Sequence, residues 1–299
     1  MIISKIKRPL RNLYNDNLIN LVDQFHPIKG PLHKSGFKIY PDYIKSEPFI
    51  EGKNLLYKKV LDSTKVIDAL SKITNLGGSI NFHDHLLYSD FLLEVFNSNI
   101  IDDIRSYLGT GFKLDYTCLS IFNTFNGELK NCSSSGLFHH DSVGHRIKMF
   151  IPINEGGTIN NPTTYLEGSN RIHWENFDNS EKEERLRIQK NKIEIYLSKE
   201  KKLGLNSNDI LIFDTNGIHK GEYKQTNKNR AIIQFEFSKN KSYLKGLVGP
   251  ASYYLSEEFY KRLKALNLLR LNRIKSINGN YLHIGKRKRN QMIRLREYL

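Results

Sequence analysis

The sequence predicts a mixed α/β chain with a mainly β core, a barrel or sandwich of short strands buttressed by helices at both ends. Three observations carry this. Apolar residues recur at helical spacing from Asn54 to Leu108, short alternating runs broken by turn residues fill Phe112 to Ser238, and helical spacing returns after Gly249-Pro250. The 299 residues, 39% hydrophobic and 11% aromatic, can fill a sizeable core, which excludes a disordered chain.

Taken in order, residues 1–110 form an N-terminal segment with buttressing helices. Val60, Leu61, Ile67 and Leu70 mark one helical stretch, and Phe91, Leu92, Val95, Phe96, Ile100 and Ile104 another. Asp62-Ser63-Thr64 and Ser89-Asp90 are helix starts; Gly77-Gly78 and Gly109 are stops. Residues 111–240 form the core, with strands expected at Asp115–Phe125, Gly136–Val143, Arg146–Ile153, Asp209–Asp214 and Asn229–Ser238. The charged stretch from Trp174 to Lys202 reads as a helical insertion, a surface excursion or a lid over a cavity. Residues 241–299 form a basic helical C-terminal segment, with Phe259, Leu263, Leu266, Leu269 and Ile274 at three- to four-residue spacing. No internal repeat and no Gly/Ser- or Pro-rich linker interrupts the chain, so one compact domain is expected.

Composition excludes several function classes. No run of eighteen apolar residues occurs, so no helix crosses a membrane, and the basic start MIISKIKRPLRNLYND meets a proline and charges before a leader's apolar stretch could form. Cys118 and Cys132, the two cysteines, make neither a disulfide scaffold nor a zinc knuckle, which fits a soluble, reduced, cytoplasmic protein. Of the net charge of +15, most belongs to the stretch from Lys261 to the end, where twelve Lys or Arg, including Lys286, Arg287, Lys288 and Arg289, face one acid, Glu297. That tail reads as a solvated helix face, with contact to an anionic surface or an anionic substrate as the alternative.

The chemistry points to the histidines. His139-His140-Asp141 lies in GLFHHDSVG, and on a strand residues i and i+2 share a face, so His139 and Asp141 point together while His140 turns away. One imidazole beside one carboxylate is two-thirds of a facial metal site. His219 follows 80 residues on, at the mouth of the strand ending DILIFD, past the Asn216-Gly217 turn. Arg230 opens a later strand on which Arg230, Ile232, Gln234 and Glu236 share one face and Ala231, Ile233, Phe235 and Phe237 the other. A charge on the inward face demands an anion, and a guanidinium fork suits a carboxylate. Two His and one carboxylate leave three positions open on a metal, the arrangement of non-haem Fe(II) oxygenases. Two of those positions suit a 2-oxo acid and one suits O2, with Arg230 gripping the acid's far carboxylate.

With these residues in view, the chain resembles the phytanoyl-CoA dioxygenase family of Fe(II)- and 2-oxoglutarate-dependent oxygenases. FHHDSVGHRIKMFIPI resembles the family's first metal-binding strand and the next one. NNPTTYLEGSNR resembles its turn leading into Pro-Gly-Ser-His, and IHKGEYKQTNKNRAIIQF its distal His and the Arg of the last barrel strand. The likeness spans about Phe112 to Ser238. It implies a double-stranded β-helix (jelly-roll, cupin-like) barrel, with His139, Asp141 and His219 as iron ligands and Arg230 as the 2-oxoglutarate anchor. It also implies hydroxylation of a small-molecule metabolite with release of succinate and CO2. Two departures stand out: Gly221 occupies the position where many members carry a hydroxyl that helps hold 2-oxoglutarate, and Glu167 and Asn170 replace the Pro and His of the turn. Asn123 and Tyr116 are candidates to supply the missing cosubstrate contact. The retained Asp141 speaks against a halogenase, since related halogenases place a small residue there.

Further candidates are weaker. His145 and Lys148, with Arg146, follow the HxD and are candidates for the substrate side; Arg171 and Trp174 are candidates at the start of the insertion. His83-Asp84-His85 reads as a surface or capping cluster. Gly109-Thr110-Gly111 lacks the third glycine of a dinucleotide fingerprint, and neither a Walker A loop nor a serine nucleophile elbow is present. Two competing functions remain: a non-catalytic metal- or anion-binding barrel, and a cupin-like Zn2+ or Mn2+ isomerase or hydrolase, for which Arg230 has no use.

Overall fold

In β-strand Arg230–Lys239 the alternation read from sequence becomes a division between two cores. Ala231, Ile233, Phe235 and Phe237 pack into the larger core beneath the helices, while Ile232 belongs to a second, smaller one. A computed structural model describes residues 30–73, 75–97, 99–124, 131–132, 134–141, 145–154, 158–171, 190–224, 226, 229–239, 252–285 and 294–298.

The N-terminal third contains α1 (Pro31–Ser35), β1 (Phe37–Tyr40), α2 (Glu47–Leu61), α3 (Thr64–Ser71), β2 (Asn75–Leu76), β3 (Ser79–Phe82) and α4 (Asn99–Leu108), with a 3-10 helix at Asp90–Asn97. Next come β4 (Phe112–Phe122), β5 (Asn131–Cys132), β6 (Arg146–Pro152) and β7 (Thr163–Leu166). They are followed by α5 (Lys190–Leu197), β8 (Glu200–Leu203), β9 (Ile210–Asp214), β10 (His219–Gly221) and β11 (Arg230–Lys239). The C-terminal part holds β12 (Tyr253–Leu255), α6 (Glu257–Ala265), β13 (Ile274–Ile277) and β14 (Asn280–His283).

Six strands form one sheet in the order β1-β9-β6-β11-β4-β3, antiparallel throughout. Three more form a second sheet, β10-β7-β8. Tyr165 and Leu203 of the small sheet meet Phe150, Leu211, Phe213 and Ile232 of the large one, so the smaller core lies between the two sheets. This is the double-stranded β-helix, or jelly-roll, with the large sheet's other face covered by helices. Strand β9 shows the same division as β11: Ile210 and Ile212 face the helices, Leu211 and Phe213 the interior.

The helices follow local rules. α2 starts with a proline in its first turn and buries Phe49, Lys53, Leu56 and Val60 at three- to four-residue spacing. α6 is capped by Ser256, whose hydroxyl accepts from the Phe259 N–H, and carries Glu257 and Glu258 in its first turn. Among the described residues, no helix is long and apolar enough to cross a membrane.

Several expectations need correction. Of the strand expected at Gly136–Val143, the described residues 136–141 form none: a 3-10 turn covers Ser134–Gly136, and His139 makes an isolated bridge to His219, while 142 and 143 lie outside the described residues. Among the described residues, the α-helical pattern after Gly249-Pro250 holds for α6 alone. Ile274 lies in β13, and β12-β14-β13 form a small sheet: β14 pairs antiparallel with both neighbours and buries Leu282 and His283, a pairing that the loose apolar spacing does not show. Of the two roles expected for His83-Asp84-His85, surface or capping, the structure shows capping by Asp84. Asp84 and His85 are buried; Asp84 accepts from the Leu295 and Arg296 N–H groups, and His85 bonds Thr117. Of the insertion, α5 and β8 are described, while 172–189 lie outside the described residues, as do Lys286 to Arg289 of the tail. Among the tail's described cations, Arg262 donates to the Phe96 carbonyl at 2.8 Å and Arg270 pairs with Asp115 at 2.6 Å, so part of that charge serves internal contacts.

Candidate metal centre and its cavity

Strand β9 delivers the chain to a tight turn, Thr215–Ile218, and β10 begins at His219. There His219 and His139 exchange main-chain hydrogen bonds of 2.9 Å in both directions. The Asp141 N–H donates to the Thr215 carbonyl at 3.1 Å, so the HxD segment is sewn to the same turn. Each imidazole turns Nδ1 to a carbonyl two residues earlier in the chain, His139 to Leu137 at 2.6 Å and His219 to Gly217 at 2.9 Å. A carbonyl only accepts, so in the neutral ring Nδ1 carries the hydrogen and Nε2 keeps its lone pair. Both Nε2 atoms face Asp141 Oδ1, at 3.6 and 3.9 Å. The three ligand atoms lie within 4.8 Å of one another. Donors about 2.1 Å from one cation at right angles stand about 3 Å apart, so a small contraction closes the set on a metal.

Electrostatics favour the ligating forms. Burial first, then the neighbouring His139, pushes the His219 imidazole down to about 3. Burial acts to raise Asp141, but Lys148 first, then His219 and His139, outweigh it and hold the carboxyl well below the usual range. Lys148 Nζ lies 2.5 Å from Asp141 Oδ2. Tyr165 stacks on the His219 ring at 6.4 Å and 14°, and Phe213 meets it edge-on at 5.2 Å. The Tyr165 hydroxyl donates to the Asp214 carbonyl, and a Cβ at Gly217 would stand 1.8 Å from that hydroxyl. Only glycine fits between the turn and this ring. Asp214 itself is fully buried and accepts from Tyr107 at 2.6 Å while pairing with His145 at 2.5 Å, fixing the turn that presents His219.

Arg230 lies in the same cavity, a space of about 340 Å3 that His139, Asp141 and His219 also line. Its side chain is buried, with the guanidinium carbon 5.1 Å from the Phe122 ring and 5.9 Å from the Tyr223 ring. Nη2 reaches the Thr163 hydroxyl at 3.4 Å, Nε has no hydrogen-bond partner among the described residues, and no described carboxylate pairs with the group. Burial pulls its pKa below the ordinary range. A buried cation without its anion is costly, which marks this end of the cavity as a place for an anionic ligand.

The other sequence candidates divide. Tyr116 and Lys148 line the cavity. Asn123 does not; its amide donates to the Leu70 and Ile73 carbonyls at the end of α3. His145 is turned to Asp214 and Tyr107, outside the cavity lining. Arg171 is exposed and donates to the His33 carbonyl. Trp174 lies outside the described residues. Asn170, where the resembled family has His, donates to the Tyr107 hydroxyl at 3.1 Å. Sequence reasoning missed Tyr223. A Cβ on Gly221 would stand 2.6 Å from the Tyr223 ring carbon and hydroxyl, and one on Gly77 (φ +74°) 2.3 Å from the same ring. Two glycines thus make room for one tyrosine, whose hydroxyl sits 3.1 Å from the Ser135 hydroxyl. The one available signal was Gly221 itself, with an aromatic two residues on.

No family model and no curated protein matches the chain. Solved structures do. EctD from S. alaskensis in its apoform aligns at 14% identity with a TM-score of 0.50, over 70% of this chain and 74% of that one. The epimerase SnoN, in complex with Fe3+, alpha ketoglutarate and nogalamycin RO, aligns at 13% identity and TM-score 0.47, over 74% and 84% of the two chains. HygX from Streptomyces hygroscopicus, with nickel, 2-oxoglutarate and hygromycin B bound, aligns at 11% and 0.45, over 70% and 85%. At this identity the likeness to EctD is one of fold alone.

Proposed function

We propose that the chain is an Fe(II)- and 2-oxoglutarate-dependent oxygenase of the phytanoyl-CoA dioxygenase kind. The carrying observation is that a two-His, one-carboxylate cluster shares a 340 Å3 cavity with a buried arginine that has no described counter-anion. His139, Asp141 and His219 would hold the metal. Bound there, Fe(II) supplies O2-dependent oxidation coupled to conversion of 2-oxoglutarate to succinate and CO2, with hydroxylation of a small molecule as the default outcome.

The chain's own groups do the rest. The Leu137 and Gly217 carbonyls fix both imidazoles in the Nε2-ligating tautomer. Arg230 binds the far carboxylate of the 2-oxo acid, and Tyr223, whose ring shares Arg230's surroundings, adds the hydroxyl that Gly221 cannot. Phe122, Phe150 and Phe213 line this end and exclude water, strengthening the Arg230–carboxylate pair.

An anaerobic titration of the metal-free protein with Fe(II) and then 2-oxoglutarate tests the reading by visible absorption. A weak charge-transfer band that needs both components and disappears in His219→Ala supports it. Tight metal binding with no band overturns it and moves the weight to a metal enzyme or binding protein without a 2-oxo acid.

A further inference from the structure

The end of the cavity away from Arg230 has a different character. Four adjacent strands of the large sheet present side chains there: Asn81 from β3, Tyr116 from β4, Lys148 and Arg146 from β6, and Gln234 and Glu236 from β11. None is apolar. Register puts them side by side, Glu236 opposite Tyr116 on one flank and Lys148 on the other, with Gln234 one step nearer Arg230. The small polar groups are tied into a chain: Tyr116 to Cys118 at 2.8 Å, Cys118 to Ser120 at 3.2 Å, Ser120 to Asn81 at 2.5 Å, and Gln234 to Ser120. Their positions are therefore set before any ligand arrives. The charges come in opposite pairs, Arg146 with Glu236, Lys148 with Asp141, and Arg270 with Asp115 behind them.

From this we infer that the substrate is a small, hydroxyl-rich molecule of sugar or cyclitol type and not an alkyl or acyl chain. The inference rests on reading the cavity as an enzyme's substrate site. Burying an alkyl chain against this wall would strip water from amide, phenol and carboxylate groups and return no hydrogen bond. Hydroxyls donate and accept, so they replace that water group for group, and a site built to bond them rejects analogues that lack them. Because the wall's described charges are matched to one another, none of them asks for an ionic substrate. The cavity volume, about 340 Å3, sits at the small end of ligand sites and is shared with the cosubstrate, which suits a small substrate.

The test uses protein loaded with Zn(II) and 2-oxoglutarate, observed by saturation-transfer NMR, with methyl α-glucoside, myo-inositol and octanoate as probes. The expected result is saturation of at least one hydroxyl-rich probe, none of octanoate, and a five-fold or greater loss of the former in both Gln234→Leu and Asn81→Leu. Octanoate saturated in the wild type, silence of both hydroxyl-rich probes, or equal saturation of those probes in wild type and variants would each overturn the inference. The 2-oxoglutarate resonances in the same tube report separately. Their saturation in a variant shows an intact site, and their silence in the wild type counts against the oxygenase reading while the glucoside and inositol signals still judge the wall.

Discussion

His139 and His219 are cross-linked by two 2.9 Å main-chain hydrogen bonds, and their rings stand 4.5 Å apart centre to centre. The pair brings a loop residue and the first residue of β10 into one site, and it depends on the turn before β10. Replacing Gly217 by Ala forces a Cβ into the Tyr165 hydroxyl. Gly217→Ala is expected to lower Co(II) affinity by roughly 10- to 100-fold, the range seen when supports of metal ligands are lost, and His219→Ala by at least as much. Calorimetric titration of metal-free protein checks both.

Arg230 and Tyr223 make separable contributions to 2-oxoglutarate binding. Arg230→Ala removes a charged, buried partner worth about 1.5–3 kcal/mol, a loss of roughly 10- to 150-fold in affinity. Tyr223→Phe removes one neutral hydrogen bond, about 0.5–1.5 kcal/mol, or roughly 2- to 13-fold. With 2-oxobutyrate, which lacks the far carboxylate, both variants should match the wild type. Binding to nickel-loaded protein measures all three without turnover.

The tight fit of Tyr223 gives a packing prediction. Gly221→Ser places a Cβ 2.6 Å from the ring and is expected to destabilise the fold by about 1–3 kcal/mol. Tyr223→Ala in the same chain should recover most of that loss, since it removes the atoms that collide. Urea unfolding of the two single variants and the double variant closes the cycle.

Stability should fall as pH falls. Burial, with a further contribution from His83, pushes His85 down to about 3, and burial with His139 does the same to His219. Unfolded histidines titrate near about 6.5, so between that pH and about 3 the unfolded chain binds protons that the folded chain refuses. The stabilisation is complete above about 6.5 and is lost on acidification, with a slope of at most about 1.4 kcal/mol per pH unit per group. Unfolding of metal-free protein at pH 7, 5.5 and 4.5 should show this, and His85→Gln should remove one group's share.

Much of the site was legible one residue at a time. The HxD, the His 80 residues on and the Arg 11 further carry their chemistry in their identities, and the inward row of β11 follows from period-2 alternation. The route to His139 and Asp141 was different from the one expected. They share a site because a loop is bonded to Thr215 and His219, and loop geometry has no period to read. Asn123 and His145 failed for a related reason: each satisfies a buried partner, the α3 carbonyls and Asp214, that sequence does not place beside it.

The sequence by itself determined the β-rich core, the N-terminal helices, the candidate metal-ligand types and the buried arginine, because these rest on local periodicity and on what each side chain can bond. Tertiary structure alone decided that Tyr223 occupies the space left by Gly77 and Gly221, that Asp84 caps a turn at the far end of the chain, and that the cavity wall away from Arg230 is polar across four strands. Those facts depend on which strands lie side by side, and pairing between segments distant in sequence is set by the packing of the whole fold.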